Sequence, residues 1–313
     1  MTSAQAYALI SSPTAISMMT GVFHFMAISL GQIFVKRKLG PRWSAVNQQP
    51  RCRQRMLRTA GCRSLMITCA VLAASTNRGL SAETDDARFR ALVFSKTTGF
   101  RHDSIPQGID AIAKLGAEHR FAVDSTEEAA RFSDEILARH KVVVFLNTTG
   151  DVLDDGEKAV FERYIRSGGG FVGIHSASDT EYRWPWYGRL VGAYFASHPE
   201  IQRAMIRIAN SSHPSTKSLP ASWERTDEWY NFGSNPRGMV QVLATLDEAT
   251  YSGGTMGADH PIAWCQQIDR GRSWYTAMGH TAESYAEPLF LLHLLGGIES
   301  AAGFAAGCGE NSP

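Results

Sequence analysis

No aspartate or glutamate occurs between Met1 and Ala82. The same stretch holds Lys36, Arg37, Lys38, Arg42, Arg51, Arg53, Arg55, Arg58, Arg63 and Arg78. A basic segment without acids reads as a targeting leader and not as a folded domain. Cysteine is also scarce where a fold is expected: only Cys265 and Cys308 follow residue 82. No C-x-x-C pair or zinc-finger spacing is present, which excludes a thioredoxin-type redox motif and a structural zinc ribbon. Spacing cannot say whether those two cysteines are bridged, and two unpaired small hydrophobic side chains are the simpler expectation. There is no G-x-S-x-G, H-E-x-x-H, P-loop or EF-hand loop, so four common enzyme and ion-binding classes fall away. Gly168, Gly169 and Gly170 precede an apolar run instead of following one, which is wrong for a dinucleotide fingerprint.

The overall charge of +1 hides a division. With ten cations in the leader, the chain from Glu83 onward keeps 21 of the 31 Lys and Arg against all 30 Asp and Glu, a balance of about −9. An acidic folded part argues against nucleic acid as a partner, because phosphate binding needs clustered cations. Two apolar runs lie within the leader. Leu65 to Ser75, preceded by Met56, Arg58 and Arg63 and followed by Leu80-Ser81-Ala82, has the order of a secretory signal. On this reading translation starts at Met56, the signal lies within 56–82, and the mature chain is exported, periplasmic or extracellular. The alternative is a membrane anchor over residues 14–35, which ends at Lys36-Arg37-Lys38. Membrane contact is expected only through this leader. The folded domain is placed at 83–302, with a loose Gly/Ala tail over 303–313.

Within the domain, apolar strands alternate with amphipathic helices. Arg90–Ser95, Phe121–Asp124, Lys141–Asn147 and Phe171–Ile174 read as strands, the first, third and fourth apolar nearly throughout, as in a sheet covered on both faces. Between them, Ser104 and Pro106 open a helix that Gly116 is expected to close, Ser133 caps a short helix to Leu137, and Asp154 or Asp155 opens a helix over 156–167. This β-α-β-α-β-α-β order predicts an α/β fold with a right-handed, doubly wound, mainly parallel sheet. Beyond residue 180, alternating segments, a hairpin signal at Asp269-Arg-Gly and a closing apolar helix from Tyr285 to Leu295 predict extra antiparallel strands in the C-terminal half.

Ligands in such sheets bind beyond the carboxyl ends of the strands. The loop 96–104, the turn after Asn147 and the elbow at His175 all lie there, so His102 and His175 are expected to face one cleft. Loop histidines stand at His102, His175, His198, His213, His260 and His280. Imidazoles titrate near neutrality and bind metals, which makes strand-end histidines candidates for catalysis or ligation. Asp227-Glu228 adds adjacent acids; on a strand they face opposite ways, so one is expected in a pocket and the other in solvent. Tyr182, Trp184, Trp186, Tyr187, Trp229, Tyr230 and Phe232 supply flat faces that suit sugar rings.

Five segments in this order resemble the trehalose-utilisation (ThuA-like) family, a branch of the class I glutamine amidotransferase-like fold. They are Gly99-Phe-Arg-His-Asp-Ser104, Gly168-Gly-Gly-Phe-Val-Gly-Ile-His-Ser176, Asp227-Glu-Trp-Tyr230, Asp259-His-Pro-Ile-Ala-Trp264 and Gly279-His280, and the resemblance covers residues 89–299. It implies a flavodoxin-like three-layer α/β/α sandwich with histidine at the elbow where the amidotransferases carry cysteine, and hence no glutamine amidotransferase activity. It also implies a role in the catabolism of trehalose or other disaccharides through 3-keto sugars, with a small-molecule sugar as partner. The expectation is a proton-transfer isomerase or lyase acting on a keto-sugar; the alternative is a non-catalytic carbohydrate-binding or sensing module. Candidate catalytic residues are His175, Glu228, His280, His102 and His260, with Glu228 or His175 as base. Candidate substrate-binding residues are Asp179, Asp227, Tyr230 and Trp184. A divalent metal is left open, because the long spacings assign no ligand set.

Overall fold

The computed structural model describes residues 87–308. The leader, its two apolar runs and the last residues of the tail lie outside the described residues. Five strands form the parallel core: β1 (Arg90–Phe94), β2 (Ala122–Thr126), β3 (Val142–Leu146), β4 (Gly170–Ile174) and a late strand from the C-terminal half. That half supplies β5 (Phe195–Ser197), β6 (Gln202–Ile208), β7 (Ser222–Asp227), β8 (Asn231–Phe232), β9 (Gln241–Asp247), β10 (His260–Ile268) and β11 (Gly271–Thr276). The main sheet runs β2-β1-β3-β4-β11-β10-β9-β6-β7. From β2 to β11 every neighbour is parallel, and from β11 to β7 every neighbour is antiparallel. The parallel part has the flavodoxin-like order, with β11 in the fifth place.

The central parallel strands are buried on both faces. All five residues of β3 and of β4 are buried, as the continuous apolar runs predict. The outer strand β7 alternates exposed and buried instead, having one wet face. Helices α1 (Ile105–His119), α2 (Asp134–Leu137), α3 (Asp155–Arg166), α4 (Pro185–Val191) and α5 (Pro288–Ala301) cover the sheet. Their starts follow local chemistry. Ser133 Oγ accepts from Ile136 N, and Asp154 with Glu157 forms a full capping box on α3, a feature that contributes about 1 kcal/mol.

Three boundaries differ from expectation. Helix α1 does not end at Gly116 but runs on to His119 and stops on Arg120, which takes a left-handed conformation at φ 62°. Gly116 is there because a Cβ would meet the Phe121 carbonyl oxygen at 2.6 Å. Helix α5 begins at Pro288 and runs a turn and a half further than predicted. The tail is tied down through residue 308: Phe304 packs on Phe89 with ring centroids 4.8 Å apart, and Cys308 is joined to Cys265 in a disulfide, so neither cysteine is free. Among the described residues no helix is long and apolar enough to cross a membrane.

Candidate functional site

Strand β4 ends at Ile174, and His175 follows with φ 50°. A residue at positive φ reverses the chain abruptly and starts the short turn His175–Asp179. This left-handed elbow costs a non-glycine residue about 1–2 kcal/mol and persists only where its surroundings fix it. Here they do: the His175 carbonyl accepts from Tyr275 Oη at 2.8 Å, and His175 Nδ1 lies 2.7 Å from the Ala277 carbonyl oxygen. A carbonyl only accepts, so Nδ1 carries the proton and Nε2 turns inward. The neighbouring strand end is built alike. Asn147 has φ 50°, and its Nδ2 donates to Ser104 Oγ and to the Gly279 carbonyl. The loops after β1, β3, β4 and β11 are thereby fastened to one another.

Four groups converge above these strand ends. His175 Nε2 lies 3.1 Å from His280 Nδ1 and 3.3 Å from Glu228 Oε2. His280 Nδ1 is itself 3.1 Å from Glu228 Oε2. His102 stands edge-on to both rings, with centroids 4.9 Å from His175 and from His280. The ligand-type atoms of His102, His175, Glu228 and His280 all lie within 4.8 Å of one another. On the other side of the carboxylate, Glu228 Oε1 is 3.0 Å from His198 Nδ1. One carboxylate is thus shared by three imidazoles.

These groups form one end of a cavity of about 400 Å³ lined by Phe100, His102, Asp179, Phe195, His198, Glu228, Tyr230 and His280. Aromatic faces make up much of the rest. Tyr230 packs on His175 at 4.1 Å and on Phe195 at 4.2 Å, and Phe100 stands at the rim, 64% exposed.

Burial and charge set the protonation states. Burial, with the charges of His175 and His280, pushes the His102 imidazole down to about 2, so it is neutral at any working pH. Burial acts to raise Glu228, but the His175 and His280 imidazoles beside it outweigh burial and hold the carboxyl well below the usual range. His280 is opposed by burial and raised overall by its hydrogen bond to Glu228. Burial raises the Asp179 carboxyl, against a 2.7 Å hydrogen bond from Tyr182.

Of the residues expected from sequence, His102, His175, His280, Glu228, Asp179 and Tyr230 are brought together. Three are not. His260 is fully buried behind the pocket, with Nε2 2.8 Å from the Tyr230 carbonyl and Nδ1 2.8 Å from Glu248, so it braces the Tyr230 segment. Trp184 packs on Trp186 and Tyr187 at the start of α4, outside the pocket lining. Asp227 is not the solvated neighbour of Glu228 but has no exposure at all. It accepts from the backbone amides of Gly279 and His280 at 2.9 and 3.1 Å and pairs with Arg225. It sets the His280 loop from below and has no face toward a ligand.

His198, Phe100 and Phe195 line the pocket without having been chosen from sequence. His198 reaches Glu228 because β5 and β8 pair in a small second sheet that brings residues 195–198 beside 228–232. Strands of three and two residues leave no periodic trace. The one signal was Ser197-His198-Pro199, a loop histidine held extended by the proline after it.

Comparison with known proteins agrees with this architecture. The family model described as trehalose utilisation, ThuA, matches residues 90–301. A ThuA-like protein from Bacteroides uniformis superposes with a TM-score of 0.59 at 27% identity, over 69% of this chain and 92% of that one. A ThuA-like protein from Parabacteroides merdae superposes with a TM-score of 0.59 at 20% identity, over 72% and 93%, and shows the same fold. No curated protein sequence matches. The chain belongs to the ThuA family of trehalose-utilisation proteins, a membership that supports a carbohydrate-related role.

Proposed function

We propose that this pocket takes a sugar in which one hydroxyl has been oxidised to a ketone and moves a proton at the adjacent carbon. The observation that carries this reading is the Glu228 carboxylate clasped by His198 on one oxygen and by His175 and His280 on the other, at the inner end of an aromatic-walled cavity. Sugar rings stack their C–H faces on aromatics and need polar partners for their hydroxyls. Phe100, Phe195 and Tyr230 offer the first, and Asp179 and Glu228 the second.

A ketone acidifies its neighbouring C–H. The base takes that proton, the electron pair moves onto the carbonyl oxygen, and the resulting enolate must be held. Where the adjacent carbon carries a hydroxyl, the enolate oxygen gains a proton, the neighbouring hydroxyl gives one up and the former carbonyl carbon is protonated. The ketone thereby moves over by one carbon, which is isomerisation. The enolate can also collapse and expel the substituent one carbon further on, which takes up a proton as it leaves; that is β-elimination of a glycosidic bond. His198 is the group best placed as base. Its Nδ1 faces Glu228 Oε1 at 3.0 Å and the Pro199 carbonyl at 3.0 Å, so Nδ1 carries the proton and Nε2 keeps its lone pair. Its side chain is 44% exposed, which lets the proton pass on to water. His175 has no exposure and its Nε2 is turned onto Glu228 and His280, so it serves the carboxylate and not the substrate C–H. The imidazole cluster on the far side of Glu228 faces the enolate oxygen.

A second reading is favoured by the exposed Phe100 at the rim: a binding module that holds sugar without turnover. Product analysis with 3-keto-glycosides separates the two. The enzymatic reading expects release of the aglycone or a shifted ketone, reduced by 10²–10⁴-fold in His198→Ala and Glu228→Gln. Saturable sugar binding with no product from any 3-keto-glycoside would leave the binding module standing.

A further inference from the structure

We propose that His175, His280 and Glu228, with His102 beside them, hold one divalent transition-metal ion of the zinc class. The first argument is proton bookkeeping. His175 Nδ1 donates to the Ala277 carbonyl, so in the neutral ring Nε2 presents a lone pair. Glu228 Oε2 also presents lone pairs. Both are aimed at His280 Nδ1, and His280 Nδ1 can supply one proton to two acceptors 3.1 Å away on either side. Three ligand-type atoms that share a single proton in a largely buried corner make a place for a cation.

The second argument is size. The three atoms form a triangle with edges of 3.1, 3.1 and 3.3 Å. The centre of such a triangle is about 1.8 Å from each corner, so an ion bonded at about 2.0–2.1 Å to nitrogen and oxygen sits about 0.9 Å out of the plane. Two imidazoles and one carboxylate on one side of the ion leave positions open on the other, as catalytic sites require. His102, edge-on to both rings, borders those positions.

The third argument is the surroundings. Ligands that hold a metal are oriented by a second set of hydrogen bonds. His175 has the Ala277 carbonyl, Glu228 has His198 on its other oxygen, and the His280 backbone is fixed by Asp227. The competing cluster among the described residues is His213 with Cys265 and Cys308, whose sulfurs are spent in a disulfide. The ion deepens the function proposed above, and rests on that reading only for its task, which is to take the enolate oxygen as a Lewis acid.

The full chain, purified without chelator, is assayed for metal by mass spectrometry, then stripped with EDTA and titrated with Zn²⁺ and Co²⁺. One equivalent is expected, with cobalt absorption of a nitrogen- and oxygen-ligated site and no thiolate charge-transfer band. His198→Ala, which removes a hydrogen bond behind Glu228, weakens binding about 10–100-fold. His175→Ala combined with His280→Ala abolishes it, and His213→Ala leaves it unchanged. No saturable uptake by the wild-type chain overturns the site, as does unchanged uptake by the double variant. A bound ion without any turnover of keto-sugars keeps the site and removes the proposed reaction. Turnover that survives complete stripping keeps the reaction and overturns the ion's task.

Discussion

Asp227 and Glu228 are adjacent in sequence and do opposite work. Glu228 has its carboxylate in the cavity among three imidazoles, while Asp227 is sealed beneath, with Arg225 beside it and the amides of Glu228, Gly279 and His280 as donors. The alternation of a strand explains the split. It does not tell which acid goes in, because β7 ends at Asp227 and the pocket residue lies just past it. Removing one member of a buried ion pair leaves the other without a counter-charge. Asp227→Ala is therefore expected to destabilise the protein by about 3–5 kcal/mol in urea unfolding, and a change under about 1 kcal/mol would contradict the role given to it. The histidines were legible in sequence to the extent that each followed an apolar strand. His102, His175 and His280 all do so, and all meet. His260 stands at the start of a strand instead, and its place behind Tyr230 could not be told from its turn-like neighbours.

At the scale of elements, β1, β3 and β4 declare themselves as unbroken apolar runs, and the elbow follows from glycines before a strand and small residues after it. The C-terminal half is harder. Strand β11 enters the parallel core between β4 and β10, some 100 residues after β4 in the chain, and a local pattern carries no record of so distant a partner. Helix α5 seals that junction, packing on β11, β4 and β3. Its Gly297 lies against Trp274 of β11, where a Cβ would come within 2.5 Å of the indole. The indole is fully buried and hydrogen-bonded to Ser215 at 3.1 Å, so it has little room to yield. Gly297→Ala is expected to cost about 1–3 kcal/mol through overpacking, read as a lowered midpoint of thermal or urea unfolding. A stability equal to wild type would show that the α5–β11 contact is looser than described.

For the molecule as a whole, the disulfide closes a segment of 43 residues and binds the tail to β10. The fold also buries histidines outside the pocket in neutral form. Burial lowers His293 to about 3, with the charges of Arg225 and His213 adding to it and the Ser215 carbonyl opposing; burial alone lowers His213 to about 4. In the unfolded chain both take up protons from about 6.5 downward. Between that value and their folded ones the unfolded state binds more protons, so stability falls as pH drops, by about 1.4 kcal/mol per unit for each fully neutral histidine. Urea midpoints measured from pH 7 to pH 4 are expected to decline, and the decline to soften in His213→Gln. A flat profile would mean that these rings are wetter than the structure places them.

The central claim is that residues from five separated segments form one proton-transferring site on an oxidised sugar. Its most direct test is the exchange of substrate C–H for deuterium in heavy water, followed by NMR on a 3-keto-glycoside. The account predicts deuterium appearing at the carbon beside the ketone with wild-type protein, slowed at least 100-fold in His198→Ala. Exchange at equal rates in both proteins, or none above the protein-free background, would contradict it.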